Sequence, residues 1–190
     1  MAALSAALAL PRLIDKAVPA FNRDGTVKDL AAPDPAVVDF FEIAGALSRI
    51  ARFNGWPDGV AYSVAQHCVM GAQAILNEGG TQREAAYFLL HDAHEWVIGD
   101  ITRPMQDLLC GLLPSLAVRE AIKLAKAAWD DAIYTAADLP TPGRWTGPEA
   151  RMVKAMDERM CMAEAIFLFG KRAERELPRF RRKRLLHYQS

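Results

Sequence analysis

Three times along the chain a Ser or Thr stands three residues before a Glu or Gln, just ahead of an apolar run. The pairs are Ser63 with Gln66, Thr81 with Glu84, and Thr146 with Glu149. In each, the hydroxyl can accept the backbone N–H of the third helical residue while the longer side chain reaches back to the cap's own N–H. Two donors that a helix start leaves unpaired are thus satisfied together. Asp34-Pro35 is a fourth start, with Asp as cap and Pro at the first helical position. Behind these starts the apolar residues recur at helical spacing, and no β-branched run alternates with period two for long enough to make a strand. The pattern predicts an all-α protein, a single-domain helical bundle over residues 36–170. An irregular, proline-punctuated arm over 1–35 with a turn at Asp24-Gly25 precedes it, and a basic tail over 171–190 follows.

The first helix is expected to run from Pro35 through Val37, Phe41, Ile43, Leu47 and Ile50 to Asn54-Gly55, with Arg49 and Arg52 in its last turn. The second opens at Ser63 and stops at Gly79-Gly80. The third runs from Thr81 to Gly99, with Gly99 just past its end. A long helix from Ser115 to about Ala137 should turn Leu116, Ala121, Leu124, Ala128 and Ile133 inward, and the last runs from Thr146 to about Gly170.

The third helix carries the stretch Phe88-Leu89-Leu90-His91-Asp92-Ala93-His94-Glu95-Trp96-Val97-Ile98-Gly99-Asp100. Apolar helix interiors rarely hold three ionisable side chains on adjacent turns without something to neutralise them. At about 3.6 residues per turn, His91 and Glu95 share a face and Asp92 sits about 100° round from His91. Such a cluster can hold a cation between imidazole and carboxylate and leave Glu95 beside a bound water. Only four histidines exist, His67, His91, His94 and His187, and a capped hairpin of the second and third helices would bring His67 near His91. Asp157 falls in the most apolar part of the last helix, where a lone carboxylate needs a positive partner. A cation shared by His67, His91, Asp92 and Asp157 resolves that cost. His94 either flanks this site or lies at the surface. Met156, Met160 and Met162 read as core filler, and Cys68 and Cys161 as small buried hydrophobes.

The order His, then His-Asp, then a distant Asp, with the wording Ser63-Val64-Ala65-Gln66-His67, His91-Asp92-Ala93-His94-Glu95 and Gly99-Asp100-Ile101-Thr102-Arg103-Pro104, resembles the HD-domain metal-dependent phosphohydrolases. Within them it looks like the branch of 5′-deoxynucleotidases and dNTP triphosphohydrolases. The resemblance spans roughly residues 40–170. It implies that His67, His91, Asp92 and Asp157 ligate a divalent metal, and that Glu95 sits beside the attacking water. It implies further that Asp100 meets the deoxyribose hydroxyl and that Trp56 lies beside the sugar and base. Lys154, one turn before Asp157, and Arg103, within the shared wording, fall on the substrate side. The mixed nitrogen and oxygen donors suit Mn, Co, Zn, Ni or Fe better than Ca, with Mg kept as a further candidate and coordination positions left open as a catalytic site requires. The implied partners are a small nucleotide substrate and a second copy of the chain in a homodimer, with Trp129, Trp145 or the basic tail as contact surfaces.

Two departures bear on the phosphate. Relatives often carry an arginine directly before that Trp, where this chain has Gly55, so Arg52 or Arg49 must substitute, and Gln106 stands where a basic residue is common. Rival readings are an HD hydrolase of guanosine tetraphosphate or cyclic dinucleotides, and a non-catalytic helical interaction module. The intact ligand set with Glu95 stands against the latter.

Composition narrows the remainder. The chain is formally neutral, which argues against a nucleic-acid coat, although residues 171–190 carry a net +6. Arg179-Phe180-Arg181-Arg182-Lys183-Arg184 could track phosphates, yet a solvated helix end or a subunit contact is the simpler reading. Three scattered cysteines, Cys68, Cys110 and Cys161, fit a reducing cytoplasm. The apolar opening is cut short by Arg12 and Asp15, so neither an export signal nor a membrane span is expected.

Overall fold

All three capping boxes form. Ser63 and Thr81 each accept the backbone N–H three residues on while Gln66 and Glu84 reach back, and Thr146 and Glu149 do the same. The structure, a computed structural model, describes residues 10–112 and 116–187, with side chains described except at 116 and from 177 onward. The helices are α1 (Phe40–Leu47), α2 (Val64–Asn77), α3 (Gln82–Leu90), α4 (Glu95–Ile98), α5 (Arg103–Leu112), α6 (Leu116–Ala136) and α7 (Gly147–His187). The protein is all-α. No helix among the described residues is long and apolar enough to cross a membrane.

The antiparallel hairpin of α2 and α3 packs on α7, and α1 packs on α2 and α4. Two apolar clusters hold the arrangement. One joins Ala72, Ile75, Tyr87, Phe88, Tyr134, Val153 and Met156 across α2, α3, α6 and α7. The other joins Ile43, Leu47, Val64, Cys68, Ala93 and Ile133. His67 lies on α2 where the two meet.

Several elements differ from expectation. The arm is not wholly irregular: β1 (Pro19–Phe21) pairs antiparallel with β2 (Val27–Asp29) around the Asp24-Gly25 turn. Strands of three residues are too short for alternation to reveal. The arm is pinned to the bundle by Trp129, whose indole N–H donates to the Leu30 carbonyl at 3.1 Å. Trp129 is therefore core, not a subunit contact, and Trp145 stacks on Tyr87 with ring centroids 4.7 Å apart.

The expected first helix divides. Asp34 caps only a 3-10 turn at Pro35–Val37, and Asp39 restarts the chain as the cap of α1. After Leu47 the backbone is drawn off by an antiparallel bridge between Ala51 and Ser63, flanked by Arg52 N–H to Tyr62 O and Val64 N–H to Ile50 O. Phe53 and Asn54 then take left-handed conformations in the 3-10 turn Arg52–Gly55.

On α6 the inward residues are Trp129, Ala132, Ile133 and Tyr134, whereas Leu124 is exposed. Ala121 is exposed too, so the expected face was rotated in the first half of that helix. Ser115 and the Leu116 side chain lie outside the described residues. Helix α7 continues beyond Gly170, which breaks it locally at φ 67°. The side chains of the basic 179–184 stretch and of His187 lie outside the described residues.

Gly71 allows the closest approach of α2 to α3, because a Cβ there would fall within the Phe88 ring. Gly71→Ala should destabilise the protein by about 1–3 kcal/mol through overpacking, read as a lowered midpoint of urea unfolding with an unchanged slope.

Candidate metal centre

His67 is fully buried on α2, and its ring is fixed from behind. Its Nδ1–H donates to Glu164 Oε1 at 2.7 Å. His91 caps the C-terminus of α3, and its Nδ1–H donates to the Phe88 carbonyl at 2.6 Å. With both Nδ1 protons so occupied, each imidazole turns its Nε2 lone pair inward, the orientation a metal ligand requires. The two Nε2 atoms lie 3.3 Å apart.

Two carboxylates close the cluster. Asp92 Oδ2 is 3.3 Å from His91 Nε2 and 3.8 Å from His67 Nε2. Asp157 Oδ1, from α7, is 3.4 Å from His67 Nε2 and 3.8 Å from His91 Nε2. All four expected ligands therefore converge, and His67, His91 and Asp157 form one of the side-chain groups able to hold an ion. The donor set fits a divalent cation: inward-facing lone pairs and anionic oxygens need a positive charge between them. Without an ion, protons take that place. Burial alone would push the His91 imidazole down, but Asp92 and Asp157 hold it well above its ordinary value. Burial would likewise raise Asp92 and Asp157, yet the imidazoles hold both carboxyls well below the usual range.

The backbone between α3 and α4 explains how Asp92 and Glu95 come together. From His91 to Val97 the N–H groups of 91, 93, 95, 96 and 97 bond three residues back rather than four. Such tightened turns carry three residues per turn, so positions i and i+3 eclipse. Asp92 and Glu95 consequently share a side, correcting the expected pairing of His91 with Glu95 on an unbroken helix. Burial, with Asp92 and Asp100 nearby, pushes the Glu95 carboxyl up to about 9. Asp100 is half-buried, and burial and Asp92 raise its carboxyl too.

The sequence left Arg52 and Arg49 as alternatives, and the structure separates them. Arg52 donates from Nε to Glu164 Oε2 at 2.9 Å and places Nη1 3.7 Å from Asp92 Oδ2. Arg49, just past the end of α1, bonds back to that helix's Gly45 carbonyl. Lys154 lines a cleft of about 280 Å³ with His91, Asp130, Pro142, Trp145 and Asp157. Trp56 is 77% exposed, and Arg103 is exposed at the start of α5. Neither makes a contact with the cluster in this state.

Two participants, Glu164 and Asp130, went unread in the sequence, as did the contact that Cys68 makes. Glu164 accepts from His67, from the Tyr62 hydroxyl at 3.2 Å and from Arg52, all while 4% exposed. It lies two turns after Asp157 on α7 between two alanines, a spacing that puts it on the same face. Asp130 accepts from His94 Nδ1 at 2.9 Å; His94 itself is buried, which settles its position. Cys68 is buried as expected, but its thiol meets His91.

Fold and cluster together define an all-α protein with a two-histidine, two-aspartate centre sealed at His67 and open at Asp157. No family model matches the chain. It is 33% identical over 147 residues to an uncharacterized protein of Rhodobacter capsulatus, a match covering 75% of this chain and 68% of that one. The chain belongs to the family of that protein.

Glu164 touches the centre only through His67 and Arg52. Glu164→Gln should lower divalent-ion affinity roughly 10–100-fold with helix content unchanged, as measured by calorimetric titration of the metal-free protein.

Proposed function

We propose that this protein is an HD-domain phosphohydrolase of nucleotides, a 5′-deoxynucleotidase or dNTP triphosphohydrolase that depends on a divalent metal. The observation that carries the reading is the convergence of His67, His91, Asp92 and Asp157 from separate elements, with both Nδ1 atoms tied outward. A divalent ion held there would supply Lewis acidity toward a phosphoryl oxygen and a water of lowered pKa.

The chain's own residues then divide the remaining work. Glu95 holds and orients the water and accepts its proton, a role its place beside Asp92 allows. Arg52 and Lys154 bring positive charge to the phosphate side, and positioning with charge stabilisation is most of what phosphoryl transfer demands. Asp100 and Trp56 would meet sugar and base, and Arg103 would stand at the same edge. The protein would act as a cytoplasmic homodimer.

A release screen of deoxy- and ribonucleoside mono- and triphosphates, with guanosine tetraphosphate included, across Mn, Co, Zn, Ni, Fe and Mg tests this. Phosphate from dNMPs or triphosphate from dNTPs is expected. His91→Ala and Asp92→Ala should each abolish turnover while circular dichroism still reports a folded helical protein. Release from guanosine tetraphosphate alone would move the protein to the rival branch, and an ion-loaded protein inert on every substrate would sink the reading.

A further inference from the structure

Beside the four-ligand cluster, burial leaves two side-chain atoms without a hydrogen-bond partner among the described residues: His94 Nε2 and Glu95 Oε2. The two residues are 4% and 5% exposed. Buried polar atoms are almost always paired, so two orphans on consecutive residues call for a ligand. His94 is set up as His67 and His91 are. Its Nδ1–H is held by Asp130 Oδ1, which leaves Nε2 with the free lone pair. Asp92, His94 and Glu95 can each bring one ligand atom within 4.8 Å of the other two, because the tightened turn brings 92 and 95 to one side.

The charge balance points the same way. Six carboxylates, from Asp92, Glu95, Asp100, Asp130, Asp157 and Glu164, gather around the centre against the basic side chains of Arg52, Lys126 and Lys154. A second divalent cation there would add positive charge on the phosphate side, where Gly55 and Gln106 stand in place of basic residues.

We propose that Asp92, His94 and Glu95 form a second divalent-cation site sharing Asp92 with the first, so that the centre is dinuclear. The inference deepens the phosphohydrolase reading and rests on it for the first ion. It changes what Glu95 does, from an unassisted base to a ligand kept ionised by the cation. Paired cations suit a substrate that presents several anionic oxygens of one phosphoryl group.

Metal-free full-length protein titrated with Mn²⁺ tests it, with bound ion counted by elemental analysis and coupling between ions read by electron paramagnetic resonance. Two ions per chain and an exchange-coupled spectrum are expected. Glu95→Gln, which preserves shape, and His94→Leu should each bind a single ion and give an isolated-ion spectrum. A single ion in the unaltered protein, unaffected by either change, would overturn the second site and leave the phosphohydrolase reading intact. Two ions that both survive the two changes would also overturn it, by placing the second ion elsewhere. No bound ion at all would remove both readings.

Discussion

Two imidazole rings with their Nε2 atoms 3.3 Å apart, and two carboxylates against the same point, cannot be buried together unless positive charge lies between them. That requirement governs the neighbouring structure. Each ring must be turned, and each is: one by Glu164, the other by the Phe88 carbonyl. Glu164 in turn needs compensation and receives it from Arg52 and the Tyr62 hydroxyl. The network therefore adds polar ties between α2, the turn after α1, and α7 to the apolar contacts that already join α2 and α7. Partial satisfaction of such a network is worse than none, since a low local dielectric strengthens made bonds and penalises missing ones alike.

The interruption between α3 and α4 follows from the same requirement. On an unbroken helix Asp92 and Glu95 would lie about 60° apart. Bonding three residues back brings them to one side, and Gly99 at φ 74° then releases the chain into the Asp100 loop. The departure from regular helix sits where the ionisable residues are, and local rules are expected to fail at such places.

Much of this was legible in the sequence. The capping boxes marked the starts of α2, α3 and α7, and the class all-α followed from them. His67, His91, Asp92 and Asp157 were legible because ionisable types stood at apolar helical positions. Glu164 was not, because a glutamate on a long helix reads as solvated unless its register with Asp157 is taken into account. The tightened turn was invisible to any reading that assumed about 3.6 residues per turn. The division of the first helix was also hidden, since the Ala51–Ser63 bridge depends on residues twelve apart that have no local signature. On α6 the apolar residues surround most of the helix, so periodicity alone did not choose between faces with Leu124 inward and outward.

Exposure within the cluster has a direction. Side-chain exposure runs from 0% at His67 through 10% at His91 and 17% at Asp92 to 35% at Asp157. The sealed end is the one held by Glu164, and the open end adjoins the cleft lined by Lys154, Pro142 and Trp145. A ligand must therefore enter over Asp157 and meet the lysine before the arginine. Arg52 is already engaged by Glu164 and lies near Asp92, at the inner side of the cluster. Lys154, exposed and on the same helix as Asp157, puts a positive charge at the mouth of that cleft. A single helix, α7, thus carries the inner anchor at Glu164, the ligand at Asp157 and the outer cation at Lys154, and any shift of α7 along its axis would move all three together.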